Sequence, residues 1–147
     1  MALPSQFKME NAQNIFIYNY VEEMIANYGQ YLKEVFDESE ITQNELPFLL
    51  RIRFNEKTTQ KELVELFKVS EGYTAKLLRK FEDAGYIERH ENPSNRRIKI
   101  VKLTSKGIQK TDELFDLVST WEENVTSNLT DSEVETLKNL LFKVVSD

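Results

Sequence analysis

The sequence has no cysteine among its 147 residues and a single histidine, His90. Without cysteine there is no disulfide framework, no thiolate zinc site and no cysteine redox sensor. One histidine argues against a histidine-based metal site, and His90, beside Glu88 and Glu91, reads as an exposed strand residue. The four glycines make no phosphate-cradling loop, and no Gly-x-Ser-x-Gly elbow accompanies the serines. No run approaches the ~18 uninterrupted apolar residues of a membrane span. The opening MALPSQFKMENAQ lacks the apolar core of a signal peptide. Asn124-Val125-Thr126 and Asn128-Leu129-Thr130 match the glycosylation pattern only by coincidence in a chain that is not secreted. The expectation is a soluble, cytoplasmic protein that is not an enzyme, has no cofactor or metal, and has no business with membranes. A chain of this length buries a real core unaided, as a single domain over residues 1–147.

Net charge is −6, which taken alone argues against a nucleic-acid partner. Its distribution reverses that argument. Residues 56–110 hold 13 Lys and Arg against 8 Asp and Glu, leaving 6 basic and 17 acidic residues for the rest of the chain. Such asymmetry suggests one face built for a polyanion. The plain alternative is a chance cluster on a solvated surface.

Read in order, residues 11–36 form a long helical pattern with Ile17, Val21, Met24, Tyr28 and Tyr31 at spacings of four and three. Phe16, Tyr18, Tyr20 and Phe36 add apolar area that cannot all face one core, so a second partner, a subunit interface, is inferred. After a polar break at 37–40 comes a helix with Leu46, Leu49, Leu50 and Ile52. Either Thr42, in a capping box with Glu45, or Asn44, which places Pro47 in the first turn, starts it. Thr59-Gln60-Lys61-Glu62 is a cleaner capping box opening a short helix with Leu63, Leu66 and Phe67 inward. Lys68-Val69 is a turn, Ser70 caps a helix running to about Ala84, and Gly85 supplies the left-handed stop. Two helices so joined are a helix-turn-helix. Ile87–Glu91 and Arg97–Leu103 are strand candidates around the turn residues Asn92 to Arg96, which makes a hairpin with a basic tip. Thr104 caps a helix carrying Ile108, Leu114, Phe115, Val118, Trp121 and Val125. A capping box at Thr130 opens the last one, with Val134, Leu137, Leu141, Val144 and Val145. The fold class is mainly α with a small β-hairpin wing: a winged helix-turn-helix at 42–104, flanked by dimerisation helices at 11–36 and 105–147.

On a helical wheel, Thr74, Leu77, Leu78 and Phe81 share an inward face, and Gly72, Tyr73, Lys76, Arg79, Lys80 and Asp83 share the outer one. A recognition helix puts its N-terminal residues near base edges. Tyr73 and Lys76 are therefore the candidates for base contact, Glu71 a candidate acceptor from cytosine, and Gly72 a point of close backbone approach. Ser70 and the helix N-terminus suit a phosphate, as do Arg79 and Lys80 further along. Arg96 and Arg97 at the hairpin tip suit the narrow minor groove, with one of them turning back on Asn95 to brace the hairpin. An ordinary solvated basic helix and a solubilising hairpin tip are the plain alternatives. The placement of both features around one capped turn favours DNA.

Gly85-Tyr86-Ile87-Glu88-Arg89, then Asn95-Arg96-Arg97, then Leu103-Thr104-Ser105-Lys106-Gly107 resembles the MarR family of bacterial and archaeal transcription regulators. That family's pattern is Gly-Leu-Ile-x-Arg, Asp-x-Arg in the wing, and Leu-Thr-x-x-Gly at the next helix. Ile41-Thr42 and Gln60-x-Glu62-Leu63 also fit. The resemblance implies a homodimer whose first and last two helices interlock over a palindromic double-stranded DNA operator. It also implies an Arg97 that reaches the minor groove. Asn95 departs from the pattern's Asp, so the usual ion pair with the wing arginine becomes a neutral hydrogen bond. The resemblance further implies a small aromatic carboxylate effector that releases DNA, lined here by Tyr28, Tyr31, Phe48 and Arg51, with Arg51 on the carboxylate. These residues could equally be dimer core and surface charge. The function expected is a sequence-specific DNA-binding transcription regulator, a repressor. Two alternatives keep the same fold: a winged-helix module for protein contacts, and an architectural DNA binder without sequence preference.

Overall fold

The long first helix expected over 11–36 is divided in the computed structural model, which describes residues 3–55 and 57–146. Met9–Asn14 is a 3-10 helix, Ile15 and Phe16 are extended, and α1 runs Ile17–Val35. Asparagine side chains bond locally in the segment before the break, as such residues do where they compete with helix. Asn11 donates to the Gln6 carbonyl and Asn14 to the Asn11 side chain. The Tyr20 hydroxyl donates to the Ala12 carbonyl and its ring meets Phe7 edge-on, so the segment folds back along α1.

The chain divides into two units, Met1–Phe36 with Leu117–Asp147, and Asp37–Asp116. The first holds α1, the end of α5 (Ser105–Val125) and α6 (Asp131–Val145), whose start is the capping box at Thr130 and Glu133. Within it the Tyr31 hydroxyl donates to the Leu117 carbonyl at 2.9 Å, the Trp121 indole to Asn27 at 2.8 Å, and Lys138 pairs with Glu122 at 2.7 Å. The apolar positions are incompletely covered. No residue of α6 is buried, and Leu140, Phe142, Val144 and Val145 stand exposed, as do Phe16, Ile17, Tyr18 and Ile25 at the start of α1.

The second unit contains α2 (Leu46–Phe54), α3 (Gln60–Phe67), α4 (Glu71–Asp83), β1 (Ile87–Asn92), β2 (Asn95–Leu103) and the first turns of α5. Neither Thr42 nor Asn44 caps α2. Residues 42–45 form a turn in which the Thr42 carbonyl accepts from the Glu45 and Leu46 amides and the Glu45 carboxylate accepts from the Thr42 amide. Glu45 is the cap position, and Pro47 falls in the first turn, where its missing N–H costs nothing. β1 and β2 pair antiparallel with Ile87 opposite Leu103 and Glu91 opposite Lys99. The connecting turn is shorter than the expected 92–96, because both strands continue to Asn92 and Asn95. The outer edge of β2 is fastened by the Val101 amide donating to the Thr58 carbonyl at 2.8 Å. Leu49, Leu63, Leu78, Phe81, Val101 and Leu114 form a fully buried core. The boundary between the units lies inside α5, beyond the expected 104. The start of α5 is fastened to α2 by Arg53, which pairs with Asp112 at 3.0 Å and donates to the Ile108 carbonyl.

The four inward positions of α4 are all buried. One of them, Thr74, has no hydrogen-bond partner for its hydroxyl among the described residues. An unsatisfied buried hydroxyl is costly, and valine keeps its shape. Thr74→Val is expected to stabilise the protein by about 1 kcal/mol and raise the melting temperature by roughly 2–4 °C. A lower melting temperature would mean that the hydroxyl has a partner.

Candidate nucleic-acid interface

Capping chemistry builds the helix-turn-helix. The Thr59 hydroxyl accepts from the Glu62 amide, and the Glu62 carboxylate from the Thr59 amide, both at 3.1 Å. α3 ends at Lys68, whose φ of 51° is left-handed, and the chain turns at once into α4. The Ser70 hydroxyl accepts from the Tyr73 amide at 3.1 Å and still has a proton to donate. At the far end Gly85 takes a φ of +83°, and the hairpin follows directly.

The outer face of α4 is exposed at each expected position, Gly72, Tyr73, Lys76, Arg79, Lys80 and Asp83, and Glu71 is exposed as well. A Cβ at Gly72 would meet no atom of the described residues within 4 Å, so none of them requires glycine there. Tyr73 is anchored at one edge. Its ring lies 6.0 Å from that of Phe48, which stacks on Phe67 at 4.1 Å. Lys76 and Arg79 have no hydrogen bond or ion pair among the described residues. Lys80 differs, because its ammonium holds both oxygens of Glu45, at 2.9 and 2.7 Å, and so fastens α4 to the start of α2. Burial opposes ionisation of Glu45, but Lys80 and the Thr42 amide outweigh it and hold the carboxyl below its ordinary range. The phosphate role expected for Lys80 thus competes with a structural one.

At the tip of the wing Arg96 and Arg97 are exposed, and neither guanidinium has a partner among the described residues. The brace expected from one of them is absent. Asn95 instead accepts from the Arg97 backbone amide at 3.1 Å, a local turn that leaves the guanidinium unspent. Bracing comes from Lys99, paired with Glu91 at 3.0 Å, and from Arg89, which forks onto Glu82 at 3.0 and 3.1 Å. Sequence reading gave neither Glu82 nor Arg89 a role. Their spacing of seven, across a glycine stop, was the available signal.

The base of the wing is locked to the start of α5. Tyr86 is buried, its hydroxyl donates to the Glu40 carboxylate, and Lys106 lies 4.8 Å from its ring centre. Burial first, and then the bond to Glu40, push the Tyr86 phenol up to about 12.

The four residues expected at an effector site fall in both units. In one, Tyr31 is bonded to Leu117, while Tyr28 packs on Trp121 at 5.1 Å and burial raises its phenol pKa. In the other, Phe48 is buried in its stack and Arg51 is exposed, lining a cleft of about 430 Å³ that it shares with Glu62 and Glu65. No group of three or more His, Cys, Asp or Glu suited to a metal occurs among the described residues, and no helix there is long and apolar enough to cross a membrane.

The MarR family model matches residues 41–99. The multiple antibiotic resistance protein MarR of Escherichia coli is 33% identical over 115 residues, 78% of this chain and 80% of that protein. The HTH-type transcriptional regulator BilQ of Clostridium symbiosum is 29% identical over 118 residues, 80% of this chain and 82% of that protein. A solved structure of an Escherichia coli MarR cysteine-to-serine mutant complexed with operator DNA aligns with a TM-score of 0.69 at 28% identity, covering 95% of this chain and 99% of that one. With its mainly helical winged fold and these relatives, the chain belongs to the MarR family of DNA-binding transcription regulators, which are not enzymes.

Proposed function

We propose that the chain is a cytoplasmic, sequence-specific regulator that represses transcription as a homodimer on a palindromic double-stranded operator. One observation carries this reading. Lys76 and Arg79 on α4 and Arg96 and Arg97 on the wing have no internal partner among the described residues, whereas Arg53, Lys80, Arg89 and Lys99 of the same unit are all spent on carboxylates. Cations left free at the two places where a winged helix meets major and minor groove are suited to DNA. Tyr73 and Lys76 then face base edges, with Glu71 accepting from cytosine. Gly72 lets the backbone approach, and Ser70, Arg79 and the first amides of α4 take phosphates. The operator complex of the Escherichia coli relative supports this docking, and the uncovered apolar positions of α1 and α6 support a second copy as the partner.

Selection of binding sites from random duplex DNA at near-physiological salt tests the reading. Enrichment of a pseudo-palindrome with half-sites about 10 bp apart is expected. Retention without sequence preference would point to an architectural binder, and no retention at any salt to a module for protein contacts.

Release by a small aromatic acid belongs to the same proposal, with Arg51 as the group that pairs its carboxylate. Such an acid must favour the conformation that does not fit the operator. Titration with salicylate is expected to release heat from the parent and none from Arg51→Ala. Identical traces up to millimolar acid would remove Arg51 from any effector site.

A further inference from the structure

The wing projects beyond its apolar support. Ile87 is the only buried residue of β1 and Val101 the only one of β2, and both lie toward the base. A two-stranded hairpin is at best marginally stable by itself, so something else must set the direction of its tip. One edge is fastened at Thr58, through the Val101 amide. On the other side stand charges. Glu82, on the last turn of α4, receives the fork of Arg89 on β1 at 3.0 and 3.1 Å. Two residues further along β1, on the same face, Glu91 is paired at 3.0 Å with Lys99, directly opposite on β2. Arg97 stands two residues before Lys99, in the stretch of β2 where the register shifts between the Glu91–Lys99 and Asn92–Asn95 pairs. Glu82, Arg89, Glu91 and Lys99 line a single cleft.

We propose that these four residues form a charge ladder that sets the pitch of the wing against α4 and so holds Arg97 at the right distance from the base-reading residues. Glu82 and Arg89 are its positioning residues. The proposal rests on the DNA-binding reading above for the role of Arg97, but the ladder itself is a feature of the free protein. The geometry suits the task, because a bidentate arginine–carboxylate pair fixes an angle as well as a distance. The hydrogen bonds from Arg89 hold the Glu82 carboxyl below its ordinary range. Lysine at 89 would keep the charge and lose the fork.

The test is a double-mutant cycle on the full chain, using the duplex recovered by the selection experiment. E82Q is expected to weaken binding about fivefold, the scale of a good partly exposed pair, and R89K to behave the same way. In the R97A background E82Q should change nothing further, since there is no arginine left to position. A simple structural role would give the same loss in both backgrounds, and that result would overturn the proposal, as would parent-like binding by E82Q. Should R97A itself bind like the parent, the minor-groove assignment fails and the proposal with it. Failure of E82Q beside a weakened R97A sinks the ladder alone. A second measurement needs no DNA. Backbone NMR order parameters at residues 94–98 should fall from about 0.85 toward 0.6 in E82Q while those of α6 stay put. An unchanged wing would overturn the proposal even if no duplex were ever retained.

Discussion

Gly107→Ala is expected to lower the stability of the winged unit by about 3 kcal/mol, a fall in melting temperature of roughly 6–12 °C. A Cβ on Gly107 would sit 2.0 Å from the Tyr86 carbonyl oxygen and 3.0 Å from a methyl of Leu103. The leucine could yield; the carbonyl is backbone and is held from several sides. It accepts from the Thr104 amide at 3.0 Å, and Tyr86 is buried and tied to Glu40 through its hydroxyl. Thr104 is itself the cap of α5, accepting from the Gly107 amide and donating to the Gly85 carbonyl. An added methyl must therefore push α5 off the base of the wing. Gly29→Ala is the control. A Cβ there meets nothing of the described residues within 4 Å, and alanine in a helix interior is favoured by up to about 1 kcal/mol. Thermal melts of both variants read the difference. A Gly107→Ala protein that melts with the parent would show that this close approach carries no load.

The second large effect is on binding. Replacing Arg96 and Arg97 together by alanine is expected to weaken operator binding at least about 30-fold and to reduce the slope of log K against log salt by up to about 2, roughly 0.9 for each neutralised phosphate charge. The fold should not notice, because neither guanidinium has a partner among the described residues. The melting temperature is expected within about 1 °C of the parent. Lys80→Ala should do the reverse. It leaves Glu45 without its ammonium, so it costs stability first. Titrations between about 50 and 200 mM salt separate the two kinds of lysine and arginine. An unchanged slope in the double variant would show that the wing does not reach DNA.

These pairs also explain what a reader of the sequence could and could not see. The capping residues Thr59, Ser70 and Thr130, the stop at Gly85 and the inward stripe of α4 were legible, since each is decided within about one turn of helix. The break at Ile15 and Phe16 was not, because a helical spacing of apolar residues says nothing of asparagines bonding their neighbours. Charge was legible as a total and misleading in detail. Lys80 and Arg89 count among the basic residues of the winged region, yet their partners Glu45 and Glu82 are assigned only by the folded chain. The same holds for Gly107. Its place in a sequence pattern was plain, but the reason for it, a carbonyl 21 residues earlier in the chain, requires the fold.

α6 has a consequence for the cell as well as for the fold. A helix of 15 residues with none of them buried is near the length at which isolated helices are marginal in water. Covered by a second copy, as proposed, it draws its stability from association, and stability of that kind follows mass action. Each tenfold fall in copy number then removes about 1.4 kcal/mol from the assembled state. Dilution at cell growth would act on the folded population and on operator occupancy together, so that the number of molecules a cell keeps becomes an input to the regulator in its own right.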